Sequence, residues 1–248
     1  MKVTLLPLVA IAFMWVSLAA CAGAAPAGVP SPSTTAASMT STPSPTPAHP
    51  PATARATPTA PPTCEPLACR VLATANIFGA GHEFPPVPGG GGRGTMPPEL
   101  SLPTGAARTV SFPSVSGQVN PIRDSAPWNG PEGNKVGPTD VESFEGISGI
   151  LDSHNAMFFV GVFLSDAEPA DPAPERLDFT GKEDFELLEP RIGQTFFIGD
   201  GGARRFRVPA EATRLFLGFA DAYFYVGPPG YYNNNQGELL VKVFITGD

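Results

Sequence analysis

The apolar residues of the chain between 64 and 248 occur in short runs that glycine and proline interrupt. Seven of these runs have the length of a strand, and they are 70–77, 107–119, 156–165, 194–199, 204–209, 213–220 and 238–246. Val110 and Phe112 alternate with Thr109 and Ser111, which is the period of a half-buried strand. The sequence therefore predicts an all-β domain over 64–248, an antiparallel β-sandwich or jelly roll.

The amino-terminal segment is typical of an exported protein. A single Lys2 precedes the apolar run TLLPLVAIAFMWVSLAA, and an apolar core this short indicates a signal peptide. The residues Leu-Ala-Ala-Cys at 18–21 match the bacterial lipobox, which predicts a lipoprotein signal peptide over 1–20 and a lipid on Cys21. The alternative is an ordinary secretory signal, cut in the AGAAPA stretch that follows. In both cases we expect the domain to lie outside the cytoplasm, at the cell surface or in the periplasm, and with the lipid it is anchored to the cell membrane.

Residues 21–63 consist almost entirely of alanine, proline, serine and threonine. Such a segment buries too little apolar surface to offset the entropy of ordering it, so the sequence predicts a disordered linker. Frequent proline keeps a linker extended, and a fully extended stalk of this length would reach about 130 Å. We expect it to hold the domain away from the membrane.

Cys64 and Cys69 lie near the predicted start of the domain. In an exported protein, two cysteines this close favour a disulfide bond. Their spacing also occurs in metal sites, but the chain has no second cysteine or histidine pair to complete a zinc site. The formal net charge of −8 argues against nucleic acid as a partner.

The loop PPGYYNNNQG at 228–237 is far longer than the two residues that suffice to join two strands. One explanation is that it presents oxygen atoms to a cation. Calcium is bound by carboxylates, asparagine side chains and backbone carbonyls. Asp221, Asn234 and Asn235 offer such side chains, and the turn at Gly230 and Tyr231 offers a carbonyl.

This loop and the strands around it resemble the calcium loop of the small galactophilic bacterial lectins of the LecA type. The resemblance implies that calcium is bound by the Asp221 carboxylate, the Tyr231 carbonyl and the side chains of Asn234 and Asn235. It also implies that the metal binds two hydroxyls of a sugar, and that one more carbonyl comes from near 120–121. In the upstream stretch WNGPEGNKVGPTD, Asp140 takes one of the positions that touch the sugar in those lectins.

The chain departs from the lectin pattern in two places. The stretch AYFYVG separates Asp221 from the Pro-Gly pair, so a strict register would place Gly227 in the acid position. The histidine and glutamine that hold galactose in the lectins have no match here. The aromatic residues beside the loop, including Tyr225 and Tyr232, are nevertheless suited to stacking on a sugar face.

Three functional interpretations follow from these residues. The loop is a calcium-dependent carbohydrate site, a structural calcium site, or a polar turn with no ligand in an envelope protein. An enzyme is the fourth class, but His154 is not arranged as part of a triad and no nucleophile elbow occurs. The sequence thus predicts a lectin-like lipoprotein that binds calcium and a saccharide and is not an enzyme.

Overall fold

A computed structural model describes residues 68–105, 107–125, 127–135 and 137–247. The predicted signal peptide, the lipidation site Cys21, the linker and Cys64 lie outside these residues. The described residues form thirteen strands: β1 (Cys69–Leu72), β2 (Glu99–Ser101), β3 (Arg108–Asn120), β4 (Thr139–Val141), β5 (Ile150–Asp152), β6 (Phe159–Leu164), β7 (Leu177–Asp178), β8 (Leu187–Leu188), β9 (Thr195–Phe197), β10 (Arg205–Arg207), β11 (Arg214–Phe219), β12 (Val226–Gly227) and β13 (Gln236–Gly247). Among the same residues, no helix has the length and apolar character needed to cross a membrane.

The strands are arranged in three sheets. A five-stranded sheet has the order β1-β13-β3-β10-β8, and two four-stranded sheets have the orders β2-β11-β6-β9 and β12-β4-β5-β7. The long pairs are antiparallel, whereas β8–β10, β4–β12 and β5–β7 are short parallel contacts. The prediction of an all-β sandwich is confirmed, with parallel pairing as an addition at the edges.

Phenylalanine rings join the five-stranded sheet to the sheet that contains β6 and β9. Phe206 on β10 packs against Phe196 on β9, with the ring centroids 4.8 Å apart. Phe112 on β3 contacts both Phe206 and Phe159 on β6. All four side chains are fully buried, so the core lies between these two sheets.

The longest pair of strands, β3 and β13, leads to one end of the sandwich. Leu239, Val241 and Val243 are buried while Leu240 and Phe244 are exposed, as expected for a strand with one face on the core. Before β13 lies the connection from β11, residues 220–235, which carries the predicted calcium loop. On the other side of β13 is β1, whose first residue Cys69 is disulfide-bonded. Its predicted pairing with Cys64 stays a prediction.

Candidate functional site

The connection between β11 and β13 makes an excursion and returns to its starting point. Ala222 and Pro229 pair as an isolated antiparallel bridge, and the Gly230 N–H donates to the Asp221 carbonyl oxygen at 3.0 Å. The six residues between Ala222 and Pro229 therefore leave Asp221 directly beside the Pro-Gly pair. Gly227 instead pairs with Val141 in the short β12–β4 contact. Asp221, and not Gly227, therefore lies beside the Pro-Gly pair.

The carboxylate of Asp221 is buried, with only 2% of the residue exposed. Its Oδ2 accepts a hydrogen bond from Asn235 Nδ2 at 2.8 Å, and its Oδ1 accepts one from the Ala222 N–H at 2.8 Å. Burial raises the pKa of this carboxyl to about 7, although the bonds from Asn235 and Ala222 act to lower it. An ionised carboxylate has about four acceptor positions, so this group retains capacity for a cation.

Two amide oxygens beside this carboxylate have no hydrogen-bond donor among the described residues. They are Asn234 Oδ1 and Asn235 Oδ1, and both are shielded from solvent. Asn235 is held by its other amide atom, because Nδ2 donates to the Ala73 carbonyl at 3.2 Å as well as to Asp221. Leaving a buried acceptor without a partner costs about 1–3 kcal/mol. A calcium ion, which prefers carboxylate and amide oxygens, would remove that cost.

Asp221 and Asn234 line a common cavity of about 140 Å³ at the rim of the sandwich. The lining residues are Pro121, Ile122, Asp221, Ala222, Tyr223, Phe224, Tyr225, Tyr231 and Asn234. The turn after β3 docks on the loop, since the Arg123 N–H donates to the Asn234 carbonyl at 2.8 Å. The structure therefore brings the segment near 120–121, expected to supply a further carbonyl, to the same cavity as the loop.

An aromatic wall borders this cavity. Tyr223 and Phe224 are 58% and 67% exposed, and the Tyr223 ring lies 5.0 Å from the ring of Tyr231. Tyr225 is largely buried and also lines the cavity. Burial raises the pKa of the Tyr225 hydroxyl to about 12, with a further contribution from the charge of Asp221. The wall offers exposed ring faces next to the polar groups.

Two residues expected to contact a sugar do not reach the cavity. Tyr232 is fully buried, and its hydroxyl accepts the Asp221 N–H at 2.9 Å and donates to the Phe219 carbonyl at 3.0 Å. Its ring lies on the core side of the loop, so it offers no free face for stacking on a sugar. Asp140 does not line the cavity, and its carboxylate pairs with Arg176 Nη1 at 2.6 Å. The stacking expectation for Tyr232 is wrong, and Asp140 is engaged elsewhere.

A second cluster of polar groups, not identified in the sequence, joins Asp152, His154 and Glu183, whose ligand atoms lie within 4.8 Å of one another. The Asp152 carboxylate already accepts hydrogen bonds from the backbone N–H groups of His154 and Asn155. Asn155 Nδ2 donates to both acids, Asp152 and Glu183. These bonds explain the cluster as the stabilisation of a turn after β5.

No protein-family model matches this chain, and no curated protein matches it. The resemblance to the galactophilic lectins stays a prediction. What the site binds is therefore inferred from its own geometry and chemistry.

Proposed function

We propose that this chain is a surface-anchored lipoprotein whose β-sandwich binds a saccharide through calcium. Asp221, Asn234 and Asn235 would hold the metal with their side chains, and Tyr231 with its carbonyl. Calcium in such a site has coordination positions left for ligand hydroxyls. Cys21 would carry the lipid that anchors the chain to the membrane, and the linker would hold the domain away from it, outside the cytoplasm.

The observation that carries the calcium proposal is the pair of buried amide oxygens beside a buried carboxylate. Asn234 Oδ1 and Asn235 Oδ1 have no donor in the described part of the chain. Folded proteins rarely bury acceptors in this way unless a ligand, an ion or water completes them. A carboxylate at hydrogen-bond distance from Asn235 adds the negative charge that selects a cation.

The aromatic wall supports the saccharide part of the proposal. Tyr223, Phe224 and Tyr231 surround the polar groups with ring faces that are open to solvent or to the cavity. A sugar presents hydroxyls on its edge and C–H groups on its faces. It can therefore bind a metal and stack on a ring at the same time.

A purely structural calcium is the second candidate, and the depth of the site favours it. Asn235 is only 1% exposed, and it connects the start of β13 to Ala73 and to Asp221 at the end of β11. An ion here would tie three segments together whether or not a sugar binds. The two candidates share the metal and differ in the ligand.

Thermal unfolding of the wild-type chain and of Asn234→Ala, in calcium and in EDTA, tests the metal site. A site with the millimolar affinity common among extracellular modules should raise the wild-type Tm by about 3–10 °C in 10 mM calcium. In EDTA, Asn234→Ala should melt no lower than wild type, because it removes an unpaired buried oxygen. The same variant should keep about 1 °C or less of the calcium shift.

Gln236→Ala is the matched control, because Gln236 follows Asn235 in the chain but does not line the cavity. It should retain the calcium shift in full. Equal shifts in wild type and Asn234→Ala would refute the metal site. Glycan-array binding that disappears in EDTA separates the saccharide receptor from the structural calcium site, which would give no binding in either condition.

A further inference from the structure

The glycine-rich segment PGGGGRG at 88–94 lies against the calcium loop, although its composition predicts a flexible loop. The Gly89 N–H donates to the Pro229 carbonyl at 2.8 Å, and the Gly94 N–H donates to Asn233 Oδ1 at 3.0 Å. In the opposite direction, Tyr231 and Tyr232 donate their N–H groups to the carbonyls of Gly90 and Gly92, at 2.8 and 3.2 Å. Four hydrogen bonds thus join the two segments.

The glycine-rich segment is itself anchored to the core. Asn76 is fully buried, and its Nδ2 donates to the Pro86 carbonyl at 2.9 Å and to the Arg93 carbonyl at 3.1 Å. Its Oδ1 accepts the Phe78 N–H at 3.0 Å, which fixes the orientation of the amide. One buried side chain therefore holds the chain at both ends of the segment and places its carbonyls opposite the calcium loop.

The contact is so close that a side chain on some of these glycines would collide with the loop. A Cβ on Gly91 would lie 2.5 Å from the Tyr231 ring and 2.9 Å from Tyr231 Cα. A Cβ on Gly92 would overlap the side-chain amide of Asn233. A Cβ on Gly90, by contrast, would have no atom within 4 Å among the described residues.

We propose that the glycine-rich segment 88–94 is a positioning element that fixes residues 229–233 in the conformation that presents the Tyr231 carbonyl and Asn234 to the metal. The part of this proposal that concerns calcium rests on the proposed function, whereas the positioning itself does not. Tyr231 adopts a left-handed backbone conformation, with φ at 68°. Because a non-glycine residue adopts it only at a cost, the surrounding contacts must maintain it.

The first test uses the wild-type full chain in EDTA and measures amide hydrogen exchange. The Tyr231 and Tyr232 N–H groups should exchange at least about tenfold more slowly than an unstructured loop, because breaking their bonds to Gly90 and Gly92 requires local opening. Exchange at the rate of an unstructured peptide would overturn the proposal.

The second test compares Gly91→Ala with Gly90→Ala. Both glycines have a positive φ, 67° and 81°, so alanine has a similar backbone cost at each position. Only the alanine side chain at position 91 would collide with Tyr231. In EDTA, the amide hydrogen of Tyr231 should therefore exchange faster in Gly91→Ala than in Gly90→Ala. It should also weaken binding of terbium, read by luminescence excited through tyrosine, by about tenfold relative to Gly90→Ala.

The outcomes separate this proposal from the proposed function. Equal exchange rates and equal terbium affinities in the two variants would overturn the positioning role. If neither calcium nor terbium binds the wild-type chain, the proposed function fails. In that case, faster amide exchange of Tyr231 in Gly91→Ala than in Gly90→Ala would still support the positioning role.

Discussion

Asp221 combines burial, hydrogen bonding and a proposed role as a metal ligand. Its carboxyl is 2% exposed, and burial raises its pKa from 3.8 to about 7. In the unfolded chain the same carboxyl would ionise near its ordinary value. The folded, metal-free protein therefore binds this proton more tightly than the unfolded chain does.

The stability of the metal-free protein should consequently fall as the pH rises. The proton on Asp221 makes its full contribution to the free energy of unfolding below about pH 4. That contribution is lost between about pH 4 and pH 7, and it amounts to something on the order of 4 kcal/mol in total. Urea unfolding in EDTA at a series of pH values should show this loss in wild type and not in Asp221→Asn, which has no proton to titrate.

Calcium should reverse the effect, because a cation favours the ionised carboxylate. In 10 mM calcium the wild-type protein should gain stability relative to Asp221→Asn as the pH rises. Identical pH slopes for wild type and Asp221→Asn in EDTA would show that the carboxyl is not held in the buried environment described here.

The residues of the loop show what a sequence can and cannot predict at this scale. The chemical types in the loop indicated a cation site, and the same residues line or support one cavity. The sequence could not show that Tyr231, and not the adjacent Tyr232, lines the cavity. The left-handed φ of Tyr231 turns the chain so that Tyr232 is fully buried below the loop, and no periodicity announces such a turn.

At the scale of elements, the seven predicted strands correspond to β1, β3, β6, β9, β10, β11 and β13. The six that were not predicted have two or three residues each. The strands β9 and β10 are as short, but they lie within the longer runs 194–199 and 204–209, which made them recognisable. In the other six, an alternation of apolar and polar residues cannot be recognised over so short a segment, and their pairing is decided by the neighbouring strand. The order of the glycine-rich segment escaped prediction for a related reason, because it comes from contacts with distant residues.

The excursion between Ala222 and Pro229 is an element that can be removed as a unit. Replacing residues 223–228 by Asn-Gly would join the paired residues Ala222 and Pro229 through a two-residue hairpin turn. The four proposed metal ligands lie outside the replaced segment. Calcium should therefore still raise the Tm, whereas saccharide binding should disappear with Tyr223 and Phe224, the most exposed rings of the aromatic wall.

A glycan array and a thermal melt on the same preparation measure both properties. The single substitution Tyr223→Ala, which removes one exposed ring, serves as the milder comparison and should weaken saccharide binding by about 1–2 kcal/mol without changing the calcium shift. Saccharide binding that survives the loop replacement would place the sugar away from the aromatic wall.

At the scale of the whole molecule, the hydrophobic core and the candidate site lie in different parts of the sandwich. The aromatic core joins β3 and β10 to β6 and β9, while the candidate site occupies the loops at one end. The candidate site has three buried polar or charged groups, Asp221, Asn234 Oδ1 and Asn235 Oδ1, that destabilise the metal-free fold. In the absence of a metal, the hydrophobic core must offset their cost.

Phe206→Ala tests this division of roles. Phe206 is fully buried and packs against Phe112, Phe185 and Phe196, so its truncation leaves a cavity between the two sheets. It should lower the free energy of unfolding by about 3–5 kcal/mol in urea, in EDTA and in calcium alike. The control Phe244→Ala, at a position 54% exposed on β13, should cost less than about 1 kcal/mol. Two outcomes would show that the core and the candidate site are not independent. One is unfolding of the Phe206→Ala variant in two separate steps, and the other is recovery of wild-type stability by this variant in calcium.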